Sequence, residues 1–133
     1  MKKRILALVV VMVMVITSIP MAFAQGNDIT PYYTYADDAQ AKISISNGTA
    51  TYKGILYGTS DVTKFTVSIT LQKKGLILWS DVETWTKTVI SSSGSFQRDL
   101  AVASGKYRTK AVFKVYSGTE YETITKYSDS VSC

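Results

Sequence analysis

"ISISNGTATYKG", residues 43–54, is the stretch from which the fold class follows. Ile43-Ser44-Ile45-Ser46 alternates apolar and polar side chains, the period of a strand with one buried face. Asn47-Gly48 comes next. A two-residue type I′ turn needs positive φ at both central positions, and Asn and Gly tolerate it best. That turn sets Ile45 opposite Ala50 and Ile43 opposite Tyr52. With Ala41 and Leu56 these residues make one apolar face. Asn47-Gly48-Thr49 also matches a glycosylation acceptor, but the turn chemistry accounts for it fully.

Working outward, "KFTVSITLQKK" repeats the alternation, with Phe65, Val67, Ile69 and Leu71 on the inward side. "LILWSDVETWTKTVI" mixes a three-residue spacing of Trp79, Val82 and Trp85 with high β-branched content. It reads as two short strands, 77–82 and 84–89, or as one strand bulged around Ser80-Asp81. Residues 95–102 form a further strand with Phe96, Leu100 and Val102 inward. Arg98 shares their parity, which an edge strand tolerates. "GKYRTKAVFKVYSG", residues 105–118, puts Tyr107, Thr109, Ala111, Phe113 and Val115 on one face. Arg108, Lys110, Val112, Lys114 and Tyr116 take the other. A last strand covers 121–131. With 41–46, 49–57 and 64–72, this makes about seven antiparallel strands, or eight if 77–89 divides. The expected fold is all-β, an antiparallel β-sandwich of immunoglobulin-like type over residues 41–133.

The N-terminus reads differently. Lys2-Lys3-Arg4, the apolar run to Ile16, Pro20 and Ala22-Phe23-Ala24 make a secretory signal peptide over residues 1–24. An uncleaved anchor is the competing reading; no second apolar stretch spans a membrane in the mature chain. Residues 25–40 read as a flexible leader. Its Tyr32, Tyr33 and Tyr35 form either an exposed sticky segment or an edge laid over the sandwich. The whole chain carries +5, but three of its fifteen cations and none of its ten carboxylates lie in the signal. The mature chain is then 12 − 10 = +2, too little for recruitment to nucleic acid. Cys133 is the single cysteine, so it either bridges two copies as a disulfide dimer or is an inert tail.

"SGKYRTKAVFKVYSGTEYE" resembles the F–G region of immunoglobulin-like and fibronectin type III sandwiches. The resemblance implies that Tyr107 forms a tyrosine corner, its hydroxyl bonding back to the preceding loop. Paired cysteines and a second-strand tryptophan are missing, and Tyr52 takes the tryptophan's place. The order of aromatic leader, "SISNGTATYKG" hairpin, "TLQKK" strand, tryptophan-containing middle and "GKYR…YSG" hairpin is similar to a group of small secreted Gram-positive bacterial proteins. That similarity implies secretion and fold, and no catalytic residues.

With no histidine, the chain lacks the commonest general base and the usual nucleophile pairs, and a zinc site is excluded. Glycosidase chemistry needs two facing carboxylates. The candidates Asp81, Glu83, Asp99, Glu120 and Glu122 read as solvated surface charge, and Asp37-Asp38 as an edge-protecting pair rather than a calcium site. Trp79 and Trp85 are sugar-stacking candidates, but at least one is expected in the core. The expectation is a secreted non-enzymatic module without cofactor, contacting an extracellular protein or glycan; a secreted antibacterial effector is the alternative. Any ligand surface is the row Arg108, Lys110, Lys114 and Tyr116.

Overall fold

A computed structural model describes residues 33–133. The signal peptide, the leader up to residue 32, and Tyr32 lie outside the described residues. Eight strands form: β1 (Ala36–Ser46), β2 (Thr49–Gly58), β3 (Lys64–Lys74), β4 (Trp79–Val89), β5 (Ser93–Ala101), β6 (Lys106–Ser117), β7 (Glu120–Tyr127) and β8 (Val131–Ser132). They make two antiparallel sheets, β1-β2-β5 and β4-β3-β6-β7, with β8 pairing the start of β6. The two sheets stack as a β-sandwich.

The first hairpin follows its local chemistry. Asn47 and Gly48 have φ of 52° and 75°, the left-handed values a type I′ turn requires. Ile45 faces Ala50 and Ile43 faces Tyr52, as the turn dictates. The same parity drives the core. Phe65, Val67, Ile69 and Leu71 from β3 are fully buried against Ala111, Phe113 and Val115 from β6 and Tyr52 and Leu56 from β2. Gly54 sits inside this layer. A Cβ there would stand 3.1 Å from methyls of both Val67 and Ile69 and 3.2 Å from Phe113 Cζ, so its missing side chain lets the sheets close. Thr109 is the polar exception: its hydroxyl donates to the Lys42 carbonyl, 2.8 Å away, tying β6 to β1 across the sandwich.

Four expectations need correction. Residues 77–89 hold one strand rather than two, with its bulge beside Asp81 as the single-strand reading expected. β4 is continuous from Trp79, and its extra residue is Val82, because Leu71 pairs Glu83 while Gln72 pairs Asp81. Leu76, Ile77 and Leu78 belong to the turn, with Gly75 N–H donating to the Leu78 carbonyl at 2.8 Å. The final strand divides instead. Ser128 leaves the ladder to donate its N–H to the Thr109 carbonyl, and pairing resumes at Val131. Neither tryptophan enters the core: Trp85 is 40% exposed and Trp79 is half-buried at the rim. β1 also starts at Ala36, five residues before the boundary expected at Ala41.

The tyrosine corner forms. Tyr107, buried at the start of β6, donates its hydroxyl to the Ala103 carbonyl at 3.0 Å. Tyr33 and Tyr35 pack against the core cluster, which favours a segment laid over the sandwich. Glu122 holds that segment by accepting the N–H groups of Thr34 and Tyr35.

Candidate contact surface

The outward face of the five-stranded sheet brings the expected ligand row together. Arg108, Lys110, Lys114 and Tyr116 project from β6, a central strand; all four pair with β3, and Lys110, Lys114 and Tyr116 also with β7, which fixes their spacing. Their neighbours on β3 are Gln72, Thr70, Thr66 and Lys64 in the same order. On the other side Tyr127, Thr123 and Tyr121 oppose Lys110, Lys114 and Tyr116.

The face has a banded chemistry. Its middle is a hydroxyl ladder between β3 and β4: Thr66–Thr88 at 3.3 Å, Ser68–Thr86 at 2.8 Å and Thr70–Thr84 at 2.8 Å. Cross-strand Thr pairs of this kind stabilise a sheet while leaving a flat polar surface. One end is a cation–aromatic cluster. Lys64 stands 4.8 Å from the Tyr116 ring centre and Lys114 4.2 Å from that of Tyr121, while the two tyrosine rings lie 5.5 Å apart. The other end is built around Arg108. Its guanidinium stacks 4.3 Å from the ring centres of both Trp79 and Tyr127, and its Nε donates to Gln72 Oε1 at 2.8 Å. Gln72 Nε2 in turn donates to Asp81 at 2.9 Å. At the paired positions of this face Asp81 is the one carboxylate, so the surface is net cationic.

The members of the row therefore differ. Arg108 is committed to an internal stack that fixes it in place. Lys110 has no such ring partner, and Lys114 and Tyr116 sit at the aromatic end. Sequence parity found the row; it missed Trp79, Tyr121 and Tyr127, whose rings join it only through strand pairing.

A second cluster closes one flank, where β4 and β5 are both edge strands. The Arg98 guanidinium stacks 3.8 Å from the Trp85 ring centre, and Lys87 lies 5.7 Å from that of Phe96. The Tyr52 hydroxyl, at the end of a fully buried ring, donates to Glu83. Burial raises the Tyr52 phenol above its ordinary range, and the Glu83 bond and charge add to this. The Tyr52 hydrogen bond holds the Glu83 carboxyl below the usual carboxylate range, with the Trp85 indole and Arg98 in support.

The five candidate carboxylates all have structural partners. Besides Asp81, Glu83 and Glu122, Asp99 accepts from the Thr51 hydroxyl at 2.6 Å and Glu120 from that of Tyr35 at 3.4 Å. Glu83 and Glu122 are half-buried rather than solvated, which corrects the surface reading. Among the described residues no group of three His, Cys, Asp or Glu side chains is placed to hold a metal ion. Cys133 is exposed, and its N–H donates to the Gly105 carbonyl at 2.7 Å. No protein-family model and no curated protein matches the chain.

Proposed function

We propose that this protein is an exported, non-enzymatic module that contacts an anionic polymer of the cell envelope through the outer face of its five-stranded sheet. The observation that carries this reading is the face itself. It is a flat hydroxyl ladder bounded by cation–aromatic clusters, with Lys110, Lys114 and Tyr116 held in a line. Rigid strands give such side chains a fixed spacing at low entropic cost, as a repeating polymer requires. Cations recognise its anionic groups, and tyrosine rings offer flat apolar faces with polar tips to its sugars.

The non-enzymatic part is supported by the lack of histidine in the chain and by the structural engagement of the candidate carboxylates. Export is supported by the signal-like residues 1–24. An immunoglobulin-like relationship belongs to the same proposal. Its support is the strand order, three strands facing β4-β3-β6-β7, and the Tyr107 bond to Ala103.

Co-sedimentation with isolated Gram-positive cell walls tests the reading. The protein is expected to pellet with intact walls and to stay in solution once their anionic polymers are extracted. Lys110→Ala/Lys114→Ala/Tyr116→Ala is expected to abolish pelleting with the melting temperature retained. Equal pelleting by that variant sinks the reading, as does release of soluble wall fragments by the purified protein.

A further inference from the structure

We infer that the tip of the β3–β4 hairpin, Leu76-Ile77-Leu78, is a docking element that inserts into the interfacial layer of an anionic lipid bilayer. This goes beyond the polymer-contact reading: the tip lies outside that face and shares with it only the Arg108–Trp79 stack at its border. The three side chains are 103%, 82% and 76% exposed, consecutive, and at the apex of a turn. Isolated exposed apolar residues are ordinary, whereas a contiguous group marks an interaction site. Nothing in the sandwich uses these residues: the core cluster and the half-buried side chains packed on it include none of them.

The shape favours lipid over a protein cleft. The turn is closed by the Gly75–Leu78 backbone bond and carried on two paired strands, so the apolar side chains are presented as a convex, preformed knob. A deformable layer accepts such a knob without a matching recess. Two grooves of the sandwich lie away from this tip. One runs between β1 and the β7–β8 break, past Ile43, Tyr127 and Val131; the other lies around Thr51 and Lys53.

The collar below the knob has the composition of a water–lipid boundary. Trp79 follows Leu78 directly, with the Lys74 ammonium 5.4 Å and the Arg108 guanidinium 4.3 Å from its ring centre. Tryptophan concentrates at headgroup level, and long cationic side chains keep their charge in water while their stems cover apolar surface. Lys73 stands over Tyr107 at 5.7 Å, and exposed Lys106 opens β6 beside that pair. Four cations thus surround the base of an apolar tip. The carboxylate among them, Asp81, already accepts from Gln72. Cations near an anionic leaflet are attracted over about a Debye length, and apolar side chains set the depth.

Vesicle flotation with the purified protein tests this. Binding is expected to phosphatidylglycerol-containing vesicles and to be weak to pure phosphatidylcholine. Leu76→Ser/Ile77→Ser/Leu78→Ser is expected to lower the partition coefficient by about a thousandfold, since each buried aliphatic side chain is worth roughly a factor of ten. Lys73→Gln and Lys74→Gln should each lower it about fivefold on the anionic vesicles alone. In a Trp85→Phe background, Trp79 emission should shift to the blue on binding. Lys110→Ala/Lys114→Ala/Tyr116→Ala should leave vesicle binding intact, while the tip variant should still pellet with cell walls, so the two proposals fail separately. Failure of the wild-type protein to float overturns the inference. So does a tip variant that floats as well as wild type, or a wild-type dimer that floats no vesicle and turns monomeric when the tip is changed.

Discussion

The two hairpins β1–β2 and β3–β4 are built from similar arms and end in opposite ways. The first ends in Asn47-Gly48, a polar two-residue turn whose positive φ angles determine the register of both strands. The second ends in Gly75 to Leu78, where three aliphatic side chains stand in water. In the first, alternation outward from the turn places Ile45, Ile43, Ala50, Tyr52 and Leu56 on one face. In the second, alternation places Phe65, Val67, Ile69 and Leu71 correctly, while the adjoining run Leu76-Ile77-Leu78 escapes it. Apolar character says that a side chain gains from leaving water. It does not say that the fold provides the place. The hairpins also meet: Tyr52 from the first donates its hydroxyl to Glu83 from the second, across the sandwich.

Substitutions along these hairpins test the contrast. The largest effect is expected in a β3 arm. Phe65→Ala removes a fully buried ring and should destabilise the protein by about 3–5 kcal/mol in denaturant unfolding. Next is Gly54→Ala in the β2 arm. Its new methyl meets Val67, Ile69 and Phe113 at 3.1–3.2 Å, and a well-packed layer gives way at a cost of about 1–3 kcal/mol.

Tyr52→Phe breaks the link between the hairpins. It should cost about 1–2 kcal/mol near neutral pH, as a hydrogen bond to a carboxylate is lost. The pH dependence has a definite sign. The Glu83 pKa is lowered on folding, so its share of the stability is present above the ordinary value of 4.5 and disappears as pH falls through the folded value. The Tyr52 pKa is raised, so its share is complete below the ordinary value of 10.0 and disappears as pH rises through the folded value. The gap between wild type and Tyr52→Phe should therefore be widest between these limits and narrow in acid.

Gly48→Ala, at φ 75°, should cost about 1 kcal/mol, since a Cβ crowds the left-handed conformation. The smallest effect is expected at the second tip. Leu76→Ser/Ile77→Ser/Leu78→Ser should change unfolding by no more than about 0.5 kcal/mol, because exposed positions outside special contacts are nearly neutral. A loss of several kcal/mol there would mean that the tip is structural and would erase the contrast.

Much of the molecule was legible from local pattern. The Asn47-Gly48 register, the inward faces of β3 and β6 and the row Arg108, Lys110, Lys114, Tyr116 follow from period-2 alternation and turn chemistry, while the Tyr107 bond followed from the resemblance to immunoglobulin-like sandwiches. Trp85 and Glu83 were not legible in this way, nor was Trp79, which the extra residue Val82 turns to the outer face. Inward parity on β4 promises burial only where an opposite sheet covers it, and β4 and β5 are both edges on one flank. There Trp85 and Arg98 meet each other instead of the core.

The sequence by itself determined which side chains share a face, because the strand's two-residue period is a property of the backbone alone. It also determined the first turn, because positive φ is a property of two residues. Tertiary structure decided which faces are covered, which rings join the Lys110–Lys114 row, and which apolar run stays in water. Those depend on strand order and on where each sheet ends, and strand pairs are selected by contacts between residues far apart in the chain.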